Sequence, residues 1–471
     1  MHYFSTRGLM QGQSFSDALL LGLGTDGGLV VPEKYPRLDS VALERLRPLA
    51  YTDLAFEIMK LYVADIPQKD LKKLLEYTYT AKLFKTREIT PVRLLKNGLW
   101  LLQLSNGPTL AFKDIAMQFL GNVLQYILNQ RGEKLTILGA TSGDTGSAAE
   151  YAMRNRSNLQ VFMLSPWGKM SHFQRAQMYS VLEENIHNIA VKGVFDDCQD
   201  LIKTLQADLA FKSKYHIGTV NSINWGRILA QTVYYFKAYF AVTRNVEERV
   251  CFCVPSGNFG NVFAGHVAKQ MGLPIEKLIV ATNENNVLEA FFNSGIYMPR
   301  KANEVYTTSS PSMDIAKASN LERLIFDLVD KDGPTVKKLW EALNLEKRLD
   351  LSNSLSKLRN EFGFLAGHSC HEDRIETIRQ VYNTDNYLVD PHTADGIFVA
   401  LQLDVDGLPL ICLETALPIK FADTMREALG EKISLDPFAE WESIEQKEQR
   451  FQILENKAEA LKSLISSTLN Y

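Results

Sequence analysis

The feature that most constrains this chain is an alternation: a short apolar run, a loop, and then an amphipathic segment. The unit occurs at Lys134–Ala140 before Ser147–Asn155, Leu159–Ser165 before Ser171–Val181, and Val250–Pro255 before Asn261–Met271. It returns at Leu278–Thr282 before Asn286–Asn293, Tyr387–Val389 before Asp395–Leu403, and Leu408–Leu413 before Lys420–Leu429. Apolar runs of that length read as strands buried on both faces, and the intervening helices make successive strands parallel. An α/β fold follows. Ligands of such sheets collect at the carboxyl ends of the strands, so function is to be sought in the loops that follow them.

The two ends of the chain read differently. Residues 1–90 carry mostly helical patterning broken at Pro32, Pro36, Pro48 and Pro67, which predicts a helical layer apart from the sheets. The stretch Trp441–Leu469 is charged and periodic with few breakers, which predicts a C-terminal helix.

Charge and composition exclude several classes of function. Lys and Arg number 51 against 55 Asp and Glu, and no basic stripe points to nucleic acid or an anionic membrane. Any anionic ligand must be caught locally. The apolar stretch Ile228–Val242 is interrupted by Gln231 and Lys237, too soon for a membrane span, and the N-terminus lacks a signal-peptide core, so a soluble cytoplasmic protein is expected. The five cysteines, Cys198, Cys251, Cys253, Cys370 and Cys412, are too scattered for a disulfide framework and read as reduced thiols. His368 and His371 flank Cys370, but Gly367 and Ser369 argue for a loop and there is no second Cys/His pair at ligand spacing, so no metal is expected. The G-x-S-x-G elbow of serine hydrolases is also missing.

Three loops carry the chemistry, each immediately before a helix, where unpaired N–H groups and the helix dipole favour an anion. In Pro255-Ser256-Gly257-Asn258-Phe259-Gly260-Asn261 the glycines permit close approach of backbone to a phosphate. Their spacing fails the dinucleotide fingerprint, so a single phosphate suits the loop better. The bland alternative is a tight turn capped by Asn258 or Asn261. Thr141-Ser142-Gly143-Asp144-Thr145-Gly146 offers hydroxyls and N–H groups for a carboxylate, provided Asp144 points away from the anion or toward a donor; alternatively Asp144 or Thr145 is simply an N-cap. In Gly107-Pro108-Thr109-Leu110-Ala111-Phe112-Lys113-Asp114, Lys113 falls in the first turn of a strongly apolar helix. Burial and the positive end of the dipole both favour the neutral amine, the form that condenses with a carbonyl. The alternative is a lysine snorkelling to solvent.

Taken in order, GPTLAFKD, TSGDTG and SGNFGN resemble the fold-type-II pyridoxal phosphate enzymes, the group of tryptophan synthase β and O-acetylserine sulfhydrylase. Within that group the chain resembles the threonine synthase family of long bacterial and fungal type. The likeness runs from Phe4-Ser5-Thr6-Arg7-Gly8 and Gly24-Thr25-Asp26-Gly27-Gly28-Leu29-Val30-Val31-Pro32 through Asn221-Ser222-Ile223-Asn224-Trp225-Gly226-Arg227 to Asp390-Pro391-His392-Thr393-Ala394 and Glu414-Thr415-Ala416. The resemblance implies a tryptophan synthase β-like fold with a helical N-terminal domain (1–90), a large cofactor-binding α/β domain (91–129 and 226–437), a smaller α/β domain (130–225) and a C-terminal helix (438–471).

It implies Lys113 as the Schiff-base lysine for pyridoxal 5'-phosphate, with Gly257, Asn258, Phe259, Gly260 and Asn261 around the cofactor phosphate. Ser142, Gly143, Asp144 and Thr145 would face the substrate carboxylate and the cofactor hydroxyl, and Thr415 the pyridine nitrogen, with Glu414 adjacent. A neutral partner there would leave that nitrogen largely unprotonated. The implied reaction converts O-phosphohomoserine and water to threonine and phosphate. Arg227 and Asn224 are candidates for the substrate phosphate, with Lys169 and Ser171 as weaker ones; Arg227 could instead form a surface salt bridge. The alternatives are a phospholyase that eliminates phosphate without adding water and a non-catalytic cofactor-binding protein. Asn106 departs from the His that many relatives carry. The sequence leaves monomer and homodimer open.

Overall fold

A computed structural model describes residues 1–435, 441 and 443–469. Buried apolar runs form two sheets, as their patterning requires. The larger has six strands in the order Phe364–His368, Ile275–Thr282, Val250–Pro255, Leu410–Leu413, Trp100–Leu102 and Val92–Leu94. All its pairings are parallel except the hairpin of the last two. Every residue of Val250–Pro255 is buried, consistent with helices on both faces.

The smaller sheet has five parallel strands, ordered Gln452–Glu455, Ile186–Lys192, Leu159–Pro166, Leu135–Ala140 and Ile217–Gly218. Helices Lys113–Arg131 and Trp225–Val242 lie against one another, and their apolar faces belong to the largest buried cluster.

Two elements differ from expectation. Tyr387–Val389 forms no strand; it is an extended lead into helix Pro391–Gln402, and Tyr387 instead donates its hydroxyl to Glu414 at 2.8 Å. The C-terminal stretch is not one helix. It contains a 3-10 turn at Ile444–Gln446, the strand Gln452–Glu455 and the helix Ala458–Leu469. The strand pairs with Ile189–Lys192, while Leu461 and Ile465 enter the core beneath the smaller sheet.

The N-terminal stretch is helical but also contributes an antiparallel pair, Tyr3–Ser5 with Val30–Pro32. Its buried side chains, Leu54 and Ile58 among them, are continuous with those of the two central helices.

Candidate active site

Lys113 is the first residue of its helix and follows a turn in which Leu110 takes φ +60°. Asp114 closes that turn by accepting from the Thr109 N–H at 2.8 Å and its hydroxyl at 2.7 Å. Burial raises the Asp114 carboxyl to about 6, against the pull of those hydrogen bonds. Phe112 donates its N–H to the Thr415 carbonyl at 2.8 Å, tying the lysine to the end of strand Leu410–Leu413.

The Lys113 side chain is 11% exposed, and its Nζ lies 3.3 Å from Asp144 Oδ2. Burial pushes its ammonium below the ordinary range; Asp144 opposes this, and the like charges of Lys420 and Arg227 add to the lowering. Asp144 answers the requirement that it meet donors. It also receives Lys420 Nζ at 3.0 Å, Gln174 Nε2 at 3.0 Å and the Ser312 hydroxyl at 3.0 Å. Burial alone would raise its pKa, but Lys420, Lys113, Gln174 and His392 outweigh that and hold it well below the usual carboxylate range.

The loop that carries Asp144 depends on Gly143, whose φ of +139° places a hypothetical Cβ 2.6 Å from the Gln174 side chain. Thr141 Oγ1 accepts from the N–H groups of Gly143 and Gly146 at 2.9 and 2.8 Å, so part of the loop's donor set is used internally. The half-buried hydroxyls of Ser142 and Thr145 have no partner among the described residues, and the first N–H groups of helix Asp144–Met153 have no intrahelical acceptor.

Beyond strand Val250–Pro255, Phe259 takes the left-handed conformation (φ +65°) and caps helix Gly260–Gln270. Its ring stacks on Phe292 at 5.7 Å, so the side chain belongs to the core and only its backbone faces the loop. Asn320 holds the Asn258 carbonyl from the side chain at 3.0 Å and from the backbone at 3.1 Å. Gly257 abuts Met313, where a Cβ would lie 3.0 Å from the backbone. Asn261 Oδ1 accepts from the Tyr234 and Tyr235 hydroxyls at 2.5 and 3.0 Å, which turns Nδ2 the other way. That Nδ2 and the Ser256 hydroxyl are buried with no partner among the described residues. A buried donor left unpaired costs about 1–3 kcal/mol, so two of them beside a closely approachable turn fit a phosphate monoester.

Arg227 is buried, not on the surface; its Nη1 reaches the Val220 carbonyl at 3.3 Å and its Nε has no partner among the described residues. Burial lowers its pKa to about 10, which leaves it charged at neutral pH. Asn224, by contrast, is a helix cap. Its Nδ2 bonds the Leu19 and Thr219 carbonyls at 2.9 and 3.3 Å and its Oδ1 takes the Gly226 N–H at 3.0 Å, so no polar atom of its side chain is left for a ligand. Ser171 likewise caps helix His172–Tyr179, and its hydroxyl donates to the Lys420 carbonyl at 3.1 Å. Lys169 is exposed and Asn106 half-buried.

Thr415 lies 3.2 Å from each oxygen of Asp390, which also accepts from His392 Nδ1 at 2.8 Å. Glu414 points elsewhere, to the Ser105 N–H at 3.2 Å and Tyr387, and burial raises it to about 7. His392 Nε2 accepts the Ser312 N–H at 2.9 Å. Ser312 therefore bridges the Asp144 loop and the Asp390 cluster.

Sequence reasoning missed Lys420, Gln174, Ser312 and His392 as neighbours of the site. For Lys420 there was a signal, a lone cation in the apolar run Ala416-Leu417-Pro418-Ile419-Lys420-Phe421. The His368–Cys370–His371 group disperses: His368 pairs with Glu289 at 2.8 Å, and His371 with Ser309 and Glu427, each at 2.8 Å. Among the described residues no three His, Cys, Asp or Glu side chains converge as a metal site, all five cysteines are free, and no helix is long and apolar enough to cross a membrane.

Comparison with known proteins agrees with this geometry. Residues 2–79 match the family described as threonine synthase N terminus, residues 82–343 that of pyridoxal-phosphate dependent enzymes, and residues 393–465 that of threonine synthase, C-terminal. The chain is 52% identical to a threonine synthase of Methylobacillus glycogenes, with 99% of each chain covered, and 50% identical to that of Corynebacterium glutamicum, with 92% and 91% covered. It superposes on the pyridoxal-phosphate-bound threonine synthase of Brucella melitensis with a TM-score of 0.92 at 40% identity and 99% coverage of both chains. The yeast threonine synthase gives a TM-score of 0.90 at 38% identity, with 99% and 98% covered. From this whole-length similarity, the chain belongs to the threonine synthase family of pyridoxal-phosphate-dependent enzymes.

Proposed function

We propose that this chain converts O-phosphohomoserine and water to threonine and phosphate, with Lys113 as the amine that anchors pyridoxal phosphate and moves the protons. The observation that carries the reading is a buried lysine with a lowered pKa, set beside separate anion-seeking features: the 256–261 turn with its unpaired donors and the uncompensated guanidinium of Arg227.

Gly257, Asn258, Phe259, Gly260 and Asn261 would hold the cofactor phosphate through backbone N–H groups, aided by Ser256 Oγ and Asn261 Nδ2. Thr415 and Asp144 would meet its ring. When bound, the cofactor supplies an electron sink that stabilises negative charge at the substrate carbons.

The chain's own residues do the rest. Lys113 Nζ takes a proton from Cα and one from Cβ of the substrate, the Cβ–H electron pair expelling phosphate from Cγ. It returns one proton to Cγ and, once the oxygen of water has added at Cβ, one to Cα, while the remaining proton of water leaves with the phosphate. Burial holds its ammonium below the ordinary lysine range, which favours the neutral base. The departing phosphate carries roughly 1.5 to 2 negative charges, and Arg227, buried with an unpaired Nε, would receive it with fork-shaped donors. Ser142 and Thr145, with free hydroxyls at a helix N-terminus, would bind the substrate carboxylate. Lys169 and Ser171 are weaker candidates, the one exposed and the other committed to a cap.

The test is product analysis with O-phosphohomoserine. Threonine should match phosphate nearly one for one, with oxygen from solvent in its hydroxyl. Predominant 2-oxobutyrate with ammonia would instead establish a phospholyase, and bound cofactor without turnover a binding protein.

A further inference from the structure

Lys420 is a second buried cation at the site, fully shielded from solvent, and nothing in the reaction above uses it. Its ammonium donates to the Thr109 carbonyl at 2.7 Å and Gln177 Oε1 at 2.8 Å, and forms an ion pair with Asp144 Oδ1 at 3.0 Å. Two hydrogen bonds to neutral oxygens and one carboxylate counter-ion hold Lys420 within the protein itself. Its partners come from three separate elements, the turn before Lys113, helix His172–Tyr179 and the start of helix Asp144–Met153.

Asp144 thus has two cations, Lys420 on Oδ1 and Lys113 on Oδ2. They are not equivalent. Lys113 has Asp144 as its one hydrogen-bonding partner among the described residues, whereas Lys420 is locked in place by the two others. An amine that must enter a covalent bond cannot remain the sole counter-ion of a buried carboxylate, because its departure would strand that charge at a cost of several kcal/mol.

We propose that Lys420 is a positioning residue: the standing counter-ion of Asp144, which lets the Lys113 amine leave its ion pair and react while the carboxylate stays charged and fixed. This deepens the reading of the site and rests on Lys113 being the cofactor lysine. The charged groups acting on the pair are Asp144, Lys420 and Arg227 around Lys113, His392 near Asp144, and Asp114 near Lys420. Without Lys420, Lys113 would lose a repelling charge and become the only cation of Asp144. Both changes stabilise its ammonium.

The test follows the pH dependence of attachment in the full-length chain freed of cofactor. Pyridoxal phosphate is added, attachment is timed by absorbance, and the labelled lysine is identified by peptide mapping after borohydride reduction. Lys420→Met should move the pH midpoint of attachment to Lys113 upward by about one unit or more, as expected for removal of a close charge. Asp144→Asn should move it downward, and Lys420→Arg, which keeps the charge, should stay nearer the parent. If Lys420→Met does not fold, Lys420→Gln removes the same charge and reads the same coupling. A lower rate at every pH with an unmoved midpoint in the Lys420 variant that removes the charge overturns the role of Lys420 and makes it a strut. Label on another lysine overturns the reading of the site itself, and this role with it.

Discussion

At the scale of single residues, the decisive distinction is between a polar side chain whose atoms are all committed and one with atoms to spare. Arg227 and Asn224 stand three positions apart in one motif, and the sequence offers both as anion ligands. Structure separates them, since Asn224 is spent on capping while Arg227 keeps an unpaired Nε in a buried setting. Capping and ligation use the same residue types before a helix, so no local pattern could have told them apart. Arg227→Ala should accordingly leave cofactor absorbance intact while lowering kcat/KM for O-phosphohomoserine by about 10- to 100-fold, the worth of a charged hydrogen bond. Unchanged kcat/KM would remove Arg227 from the site. Lys113 was legible because its context is local, an apolar helix start, whereas Lys420 meets Asp144 across 276 positions and only folding brings them together.

At the scale of elements, the strand–loop–helix units were legible wherever apolar runs are continuous. Val250–Pro255 falls where the pattern places it, and helix Lys113–Arg131 has Lys113 in its first turn as expected. The failures have opposite causes. Gln452–Glu455 is an edge strand with three of its four residues exposed, so it lacks the apolar signature of an interior strand and was absorbed into a predicted helix. Tyr387–Val389 has the apolar signature but no slot in the sheet. Backbone conformation in the Asp144 loop is another property that local pattern underdetermines. With φ at +139° and the Gln174 side chain 2.6 Å from any Cβ, Gly143→Ala should lower stability by about 1–3 kcal/mol and push Gln174 off Asp144. Thermal melting together with the pH profile of kcat would read the two effects separately.

At the scale of the whole molecule, buried acids make stability depend on pH. Burial raises Glu414 to about 7 and Asp395 and Asp114 to about 6 each, above their values in an unfolded chain. Between roughly pH 4 and 7 the native protein therefore holds protons that the unfolded chain has released, and stability falls as pH rises through that window. Asp144, lowered instead, contributes stability above the unfolded carboxylate range and loses it only in stronger acid. Melting temperature should decline from pH 5 to pH 7.5, and Glu414→Gln should flatten the decline by an amount on the order of 1–3 kcal/mol. A slope identical to the parent's would mean Glu414 is ionised throughout.

The C-terminal strand carries a consequence for how the molecule is made. Gln452–Glu455 completes a sheet whose other strands lie between residues 135 and 218, and Leu461 and Ile465 seal the core beneath it. Chains are synthesised from the N-terminus, and the half of the site bearing Asp144 sits on that sheet. A ribosome must therefore translate residues 193–451 before the edge beside Ile186–Lys192 can be covered, so the nascent chain carries an open, pairing-competent strand throughout that stretch of synthesis.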